Sequence, residues 1–559
     1  MLFFRHPVTG SGSALCIFFY RTRSQITHAL RISGIRIHAC PSPLPPLSKS
    51  DRLHPEPTLP EANSITDLAP PSLEDSSTRW HLWTPRIIAL LTFAVLLPLY
   101  YHVAMRRVEK FNSEDTKLLD HFAGEKKTNV IFHHDQHVYL NLGRLLRLSD
   151  YEYVIPRHRM PGYPLLLSLL YSDNDAYEVD PNSKDSRRVS EGYFNRAKQF
   201  NIWLSMALIV GLFFFLVCYL PIIESLMSVW AIAWLIFVYK ACFVQPEILY
   251  DTLSVMLVIL MWRQIDHPTW RRGIVTGLVL AAAYFIKSAL LPLTALFVAC
   301  FAIKMIANGI LQWRTRGETT SAILMRRWCL DVGRGAIVPV IWLALLSPYL
   351  YNTWKFHGSP FWSIHSAHYF WLETPEDKKT WQGLAELALD EEVPADAPTR
   401  EKYFATHSLG EIVHRFVDGA ATTINNIRIY YRETDRFLFH RLGRACLYIG
   451  IIFLFPIIRK SRLHFAELLF LGGFMIGYGL LFGWFEPIHA GLRFMLSLYP
   501  MAIVLGLWFL NRHADSVQIP RAGIQIHTRA IVMFALAISL ASSIHEVVTK
   551  SAWKIEGGN

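Results

Sequence analysis

The chain has 559 residues, of which 52% are hydrophobic and only 18% are charged. Because soluble proteins usually carry about 25% charged residues, this composition argues against a soluble protein and indicates a polytopic membrane protein. The formal net charge of +11 fits basic cytoplasmic loops at an anionic lipid surface. No compact basic stripe stands apart from the apolar runs, so no nucleic-acid partner is expected.

An N-terminal extension and linker are expected over residues 1–82. Residues 1–32 are basic, and their apolar patch at 14–20 is too short to span a bilayer. The patch fits a targeting peptide or an extension without a fold, and the lack of a convincing small-residue cleavage site favours the extension. Residues 41–77 are rich in Pro and Ser, which is typical of a disordered linker.

Apolar runs recur from Trp83 onward and predict an all-α fold with about eleven membrane-spanning helices. The runs lie near residues 83–103, 199–219, 222–243, 247–262, 273–289, 291–306, 335–351, 443–458, 464–484, 491–510 and 529–547. They divide the chain into a catalytic transmembrane region, a long loop and a C-terminal transmembrane group. These parts are residues 83–351 (which include a first long loop at 104–198), 352–442, an outer loop that is a candidate acceptor-binding region, and 443–559.

Four short loops rich in Arg and Lys set the orientation of the spans. All four fall on one side of this span list, and by the positive-inside rule that side is cytoplasmic. Their basic residues are Arg263, Arg271, Arg272, Arg314, Arg316, Arg326, Arg327, Arg334, Arg459, Lys460, Arg462, Arg512, Arg521 and Arg529. The two long loops, at 104–198 and 352–442, then face outward and are expected to carry short helices. A multi-pass protein of the inner (plasma) membrane follows, with its site facing the periplasm or exterior.

Asp135 lies in the first outer loop, just before an amphipathic run at 138–146. A carboxylate here could take a proton from an acceptor hydroxyl. Asp before an apolar-periodic run is also a common helix start, and the spacing leaves both readings open.

Metal binding is not favoured by the pattern around Asp135. His133, His134 and His137 could join Asp135 as ligands, but no HExxH-type helical spacing occurs, so a His-rich surface loop is favoured. No CxxC pair occurs among the seven cysteines, which argues against a zinc ribbon. No metal ligand is assigned, and a divalent metal stays an open alternative as a cofactor.

Two arginines, Arg157 and Arg159, come just before Pro161, which starts a short apolar helix with Pro164. Arginine binds phosphate oxygens bidentately and stays charged at any working pH, so the pair could hold a lipid phosphate. Snorkelling of both side chains to lipid headgroups is the alternative.

Glu247 and Asp251 follow Pro246 at the outer end of a span and, at i and i+4, share one helix face. Ionisable groups in a span are costly and are candidates for function, although this end of the span could simply be hydrated. Lys287 lies at the tip of the next hairpin, where it could pair with a phosphate or with Glu247, or snorkel.

The last outer turn contributes three more candidates, Glu486, His489 and Arg493. Arg493 begins a span and therefore needs a partner, which a lipid-borne phosphate or Glu486 would provide. A sugar on a polyprenyl phosphate already has a good leaving group. An enzyme acting on it must deprotonate an acceptor hydroxyl and stabilise the phosphate, for which one carboxylate and several cations suffice.

Five features in this order resemble bacterial membrane glycosyltransferases of the GT-C superfold. They are Asp135 in the run 133–140, the helix start at 159–164, the pair Pro246-Glu247, the hairpin 277–292 with a basic tip, and the span start Arg493-Phe494. The chain is most similar to the group with protein O-mannosyltransferases and the aminoarabinose transferases of lipid A (glycosyltransferase family 39 and relatives). The resemblance covers roughly residues 83–510.

The resemblance implies an inverting sugar transfer from a polyprenyl-phosphate donor to a hydroxyl on a protein, lipid or glycan. It implies that Asp135 is the base or acceptor-binding carboxylate, that Glu247 or Asp251 is a second acidic group, and that Arg157, Arg159, Lys287 and Arg493 bind the donor phosphate. The family often has paired acids where this chain has Asp135-Gln136, which argues against a metal-bridged site.

Two other classes compete with this interpretation. A transporter or flippase of a lipid-linked saccharide often shows paired repeats with broken spans, and no clear internal repeat occurs here. A non-catalytic assembly subunit would leave the outward-facing charges without a shared purpose. The transferase is the favoured prediction.

Overall fold

The structure is a computed structural model that describes most of the chain from residue 75 on. The described residues are 75–123, 134–151, 159–172, 175, 190–314, 321–381, 384, 393–433, 465–485, 498–513, 517–519 and 524–549. Within them the chain is helical except for two short strands, β1 (Val517–Ile519) and β2 (Ile524–Ile526), which pair antiparallel. The predicted extension lies outside the described residues as far as 74, but residues 75–82 are already helical.

The α-helices are numbered here in chain order. They are α1 (Asp75–Ala123), α2 (His134–Leu148), α3 (Gly162–Ser168), α4 (Glu191–Val217), α5 (Ile222–Ile232), α6 (Val238–Lys240), α7 (Glu247–Asp266), α8 (Trp270–Ile286), α9 (Leu291–Arg314), α10 (Ser321–His357), α11 (Ile364–Ala367), α12 (Pro375–Thr380), α13 (Arg400–Thr406), α14 (Leu409–Glu433), α15 (Phe465–Phe485), α16 (Leu498–His513) and α17 (Thr528–Thr549). A π-helical turn (Ala233–Phe237) joins α5 to α6, and 3₁₀ turns occur at Ser288–Leu290 and Tyr369–Trp371.

Seven helical stretches among the described residues are long and apolar enough to cross a membrane. They are Trp83–Glu109, Gly192–Val217, Ile222–Lys240, Glu247–Asp266, Ser288–Arg314, Ile323–His357 and Arg529–Thr549. Each coincides with one of the predicted spans. The prediction of a polytopic helical membrane protein is therefore confirmed at this level.

Four of the eleven predicted spans are not among these seven. The run 273–289 corresponds to α8, whose 17 residues reach about 26 Å against a hydrocarbon core of about 30 Å. The runs 464–484 and 491–510 correspond to α15 and, in part, to α16. The run 443–458 lies outside the described residues. The count of eleven stays a prediction.

The centre of the bundle is formed by α5, the π-turn and α7, whose side chains are the most buried of the spans. Large aromatic side chains fill it, including Trp230, Trp234 and Trp262, each at most 1% exposed. By contrast α1 and α10 carry exposed apolar side chains such as Leu90 and Val340. An apolar surface of this kind on a spanning helix is what lipid contact requires.

A buried polar network joins α7, α9 and α15 at the end of the bundle remote from Glu247. The Trp262 indole N–H donates to Glu467 (3.1 Å), and the Lys304 Nζ lies 3.8 Å from the same carboxylate. Lys304 also donates to the backbone carbonyls of Ile265 and Asp266. Buried charges need such partners, so this network fixes α15 against the core.

At its other end α15 is crossed closely by α14. A Cβ built on Gly419 would lie 1.9 Å from the carbonyl oxygen of Gly483, which is backbone and cannot rotate away. One turn earlier Arg415 donates hydrogen bonds to the carbonyls of Leu372 and Trp484. The absence of a side chain at Gly419 therefore sets how closely the second long segment (residues 358–433) packs on the spans.

Replacing Gly419 with Ala is expected to destabilise the protein by about 1–3 kcal/mol, because α14 must move away from α15 to admit a methyl group. The measurement is the thermal unfolding midpoint in a fixed detergent. Gly477→Ala, in α15 with nothing within 4 Å of its built Cβ, is the matched control and should be neutral or slightly stabilising. Equal midpoints for the two variants would contradict the close crossing.

Candidate functional site

Four elements meet at one end of the bundle: α2, α3, the start of α7 and the junction between α8 and α9. A Cβ on Gly162 would lie 2.7 Å from the carbonyl oxygen of Phe285, so only glycine lets the start of α3 approach the end of α8 this closely. Lys287 follows two residues after Phe285, in extended backbone between α8 and the 3₁₀ turn. The start of α3, in the first long segment (residues 110–190), is thereby brought against the Lys287 hairpin.

Glu247 and Lys287 form an ion pair at this end. The Lys287 Nζ lies 3.8 Å from the Glu247 Oε1 and 5.0 Å from the ring centre of Tyr250, and the two charged side chains are 22% and 8% exposed. The pairing of Lys287 with Glu247 is one of the two that its position at the hairpin tip predicted. Glu247 is the first residue of α7, where the helix dipole favours a carboxylate.

The second carboxylate oxygen of Glu247, Oε2, is buried and has no hydrogen-bond partner among the described residues. A buried carboxylate oxygen normally accepts a hydrogen bond, so this one calls for a donor from beyond the described residues. A carboxylate oxygen in this position can accept a hydrogen bond from a hydroxyl group.

Arg159 comes just before α3, three residues before the contact of Gly162 with the end of α8. Its guanidinium carbon is 5.5 Å from the ring centre of Tyr139, and the Tyr139 ring is 5.5 Å from that of Tyr163. Its Nη1 lies 2.7 Å from the Nε2 of His365 in α11. Because the guanidinium can only donate, this nitrogen of His365 accepts and carries no proton. Arg159 therefore joins the first long segment to the second.

Tyr163, whose ring packs edge-to-face on that of Tyr139, is fully buried. Its hydroxyl donates to Asn201 (3.2 Å), which in turn donates to the Phe243 carbonyl (2.6 Å). Burial, and then the nearby negative charge of Glu247, raise the pKa of Tyr163 well above its ordinary value of 10. The phenol therefore remains a neutral hydrogen-bond donor at every physiological pH.

Asp135 is the second residue of α2, and its side chain lies outside the described part of the chain. The next side chain, Gln136, is 2% exposed and accepts from the Val244 N–H at 2.7 Å. Because Val244 comes three residues before Glu247, this bond holds the start of α2 close to the start of α7. The backbone of Asp135 is thus brought to the same end of the bundle as Glu247.

Asp251 lies one turn further along α7 and is completely buried. Its Oδ2 is 2.9 Å from the Nζ of Lys240, whose side chain is 9% exposed. Lys240 follows the π-turn, which shifts the register of the helix by inserting an additional residue. The pairing favours a positioning role for Asp251, and a catalytic role for it stays a prediction.

Sequence reasoning missed Lys240, although a lysine at the end of a span calls for an acidic partner. Tyr139, Tyr163 and His365 were missed as well, because their contacts join positions far apart in the chain.

Four predicted site residues, Arg157, Glu486, His489 and Arg493, lie outside the described residues. Nothing in the structure brings them to the site or keeps them from it. Among the described residues, no group of three or more His, Cys, Asp or Glu side chains is placed to hold a metal ion. The described cluster offers two lysine–carboxylate pairs, a half-buried arginine and buried phenols. Such a set can bind an anion and accept a proton beside it.

The chain was also compared with known proteins. Its sequence matches no protein-family model, and it matches no curated protein either. The likeness to GT-C glycosyltransferases therefore depends on the residues named above, and the function has to be argued from the geometry of the site.

Proposed function

We propose that the protein is a membrane glycosyltransferase that moves a sugar from a polyprenyl-phosphate donor to an acceptor hydroxyl. The observation that carries the proposal is the Glu247–Lys287 pair at the end of two spans, together with Arg159 over the Tyr139 ring, which packs on Tyr163. A lipid-borne phosphate at the membrane surface needs fixed cations at that depth, and the acceptor needs a carboxylate beside them.

The chemistry assigned to the cluster is an in-line displacement. A carboxylate, Asp135 in the first instance, takes the proton of the acceptor hydroxyl as its oxygen bonds to the anomeric carbon. The bond from that carbon to the phosphate oxygen breaks, its electron pair stays on the polyprenyl phosphate, and the configuration inverts. Arg159 and Lys287, with Arg157 and Arg493, stabilise the charge that develops on the leaving phosphate.

The remaining roles and the setting belong to the same proposal. Glu247 orients the acceptor through its Oε2, and Asp251 holds Lys240 and the start of α7 in place. Glu486 and His489 complete the acceptor side. The fold is of the GT-C type with about eleven spans, and the site faces the periplasm or exterior of the inner membrane.

Transfer is tested with the purified full chain in lipid nanodiscs. A polyprenyl-phosphate sugar fraction, labelled in the sugar and extracted from the source membranes, is supplied with extracted envelope glycans, lipids and proteins. We expect label in an acceptor and release of free polyprenyl phosphate in equal amounts. Movement of intact labelled donor between the leaflets of proteoliposomes, without release of polyprenyl phosphate, would instead identify a flippase and overturn the proposal.

Replacing Arg159 with Ala is expected to raise the KM for the donor about 10-fold or more, since a charge-assisted hydrogen bond contributes about 1.5–3 kcal/mol. The KM for the acceptor should change less. Arg147→Ala, which removes an exposed arginine at the end of α2, is the control and should leave both constants unchanged. An unchanged donor KM in Arg159→Ala would favour the snorkelling account.

A further inference from the structure

A separate pocket lies in the second long segment, where α13 ends and α14 begins. Its volume is about 600 Å³, within the range of roughly 300–1,000 Å³ typical of small-molecule sites. It is lined by Glu373, Tyr403, His407, Gly410, Glu411, His414 and Arg415. None of these residues belongs to the Glu247 cluster.

Arg415 is the one arginine among the lining residues of this pocket. Its guanidinium carbon lies 4.1 Å from the ring centre of Trp484 and 5.3 Å from that of Tyr403, so it contacts both aromatic rings. Its Nη2 donates to the carbonyls of Leu372 and Trp484. Its Nε and Nη1 are buried and have no hydrogen-bond partner among the described residues. Buried N–H groups without an acceptor are costly, and an oxygen-rich ligand in the pocket would supply one.

Two other lining residues, Glu373 and Glu411, provide hydrogen-bond acceptors. The Glu373 carboxylate lies 3.3 Å from the His407 Nε2, and His407 stacks on Tyr403 with ring centres 4.1 Å apart. Glu411 accepts from the Ser408 N–H (2.7 Å), and this bond and the one from the Ser408 hydroxyl hold the pKa of its carboxyl below the ordinary value. Glu411 is therefore ionised at neutral pH.

The balance of charge decides which ligands suit the pocket. Two carboxylates face one guanidinium, so with neutral histidines the lining carries one net negative charge, which disfavours a phosphate or another anion. Hydroxyl groups suit both types of lining group, because a hydroxyl can donate a hydrogen bond to a carboxylate and accept one from Arg415.

The pocket is joined to the Glu247 cluster by a short series of side-chain contacts. Arg159 bonds to His365, whose ring lies 5.2 Å from that of Tyr369. Tyr369 begins the 3₁₀ turn that ends at Trp371, and the Trp371 ring lies 5.6 Å from that of Tyr403 in the pocket wall. A ligand held in the pocket is thus in contact with the segment that carries the partner of Arg159.

We propose that this pocket binds the acceptor, and that the acceptor presents to it a neutral, hydroxyl-rich group of the saccharide class. The identity of the ligand as the acceptor rests on the proposed transferase function, whereas the binding of a saccharide does not. Arg415, Glu373 and Glu411 hold the hydroxyls, and the pocket selects the acceptor while the Glu247 cluster holds the donor.

Binding is tested without transfer, using the full chain in nanodiscs and saturation-transfer NMR. The probes are the methyl glycosides of glucose, galactose, mannose and N-acetylglucosamine, with the tripeptides Ala-Ser-Ala and Ala-Thr-Ala for comparison. We expect at least one glycoside to bind and Glu373→Gln to weaken its binding about tenfold, since a charge-assisted hydrogen bond becomes a neutral one. His414→Ala, at the exposed rim, should weaken it less.

Asp396→Asn, an exposed acid in the same segment, is the matched control and should bind the glycoside like the unaltered chain. Binding of tripeptides but of no glycoside, binding of no probe at all, or equal binding by Glu373→Gln would each overturn the saccharide site. Arg415 is left unaltered because it also joins α14 to α15.

A kinetic measurement separates this proposal from the proposed function. In the transfer assay, Glu373→Gln should raise the KM for the acceptor and leave the KM for the donor unchanged. Glycoside binding without any transfer would keep the saccharide site and remove the transferase function. Transfer with an unchanged acceptor KM in Glu373→Gln would keep the transferase and remove the acceptor role of the pocket.

Discussion

Replacing Lys240 with Met is expected to destabilise the protein by about 3–5 kcal/mol, because the completely buried carboxylate of Asp251 then loses its cation. The measurement is the unfolding midpoint in a fixed detergent, followed by the fraction of protein that remains monodisperse. Arg400→Met, which breaks the exposed Arg400–Glu401 pair, is the control and should cost less than about 1 kcal/mol. Similar losses in the two variants would contradict the buried pairing.

The double variant Lys240→Met with Asp251→Leu separates stability from chemistry. Removing both charges avoids the uncompensated carboxylate, so the midpoint should return to or exceed that of the unaltered chain. If Asp251 only positions the start of α7, the stable double variant retains sugar transfer. A stable but inactive double variant would instead place Asp251 among the groups that act on the substrate.

The spans could be predicted from sequence because each is a local property of about twenty consecutive residues. Seven helices lie where the apolar runs place them, and α8 falls below the spanning length only because its cap at Lys287 ends it after 17 residues. The Glu247–Lys287 pair was also within reach, since both residues lie at the ends of neighbouring hairpins on one side of the span list.

The rest of the site depends on contacts that leave no local pattern. Lys240 meets Asp251 because a π-turn shifts the register of the helix that carries it. No residue type predicts that turn. Arg159 meets His365 across 206 positions of sequence. The pocket around Arg415 depends on the Gly419–Gly483 crossing, which a sequence shows only as two unremarkable glycines in different helices.

These contacts also change how the predicted roles are divided. In sequence, Glu247 and Asp251 are equivalent acids on one helix face. In the structure each has its own lysine, and the side chain of Lys287 is more exposed than that of Lys240. A lipid phosphate can therefore approach the Glu247–Lys287 pair more readily than the Lys240–Asp251 pair. Under the proposed function, this difference favours a binding role for the first pair and a positioning role for the second.

Replacing Asp135 with Asn is expected to lower the turnover number about 10²–10⁴-fold, the usual contribution of a general base, because an amide cannot take the acceptor proton. Expression and the unfolding midpoint should stay close to those of the unaltered chain, since the two side chains have the same shape. Single-turnover rates at saturating donor and acceptor measure the chemical step apart from binding.

Asp150→Asn is the matched control, because Asp150 is exposed beyond the end of α2 and its φ of 51° is one that asparagine also adopts. It should turn over normally. If Asp135 only stabilises the first turn of α2, in which it is the second residue, its Asn variant keeps full turnover as well. The base would then be Glu247 or Asp251, each of which has a buried carboxylate oxygen, Oε2 and Oδ1, without a partner among the described residues. Glu247→Gln or Asp251→Asn would in that case show the loss expected for Asp135→Asn.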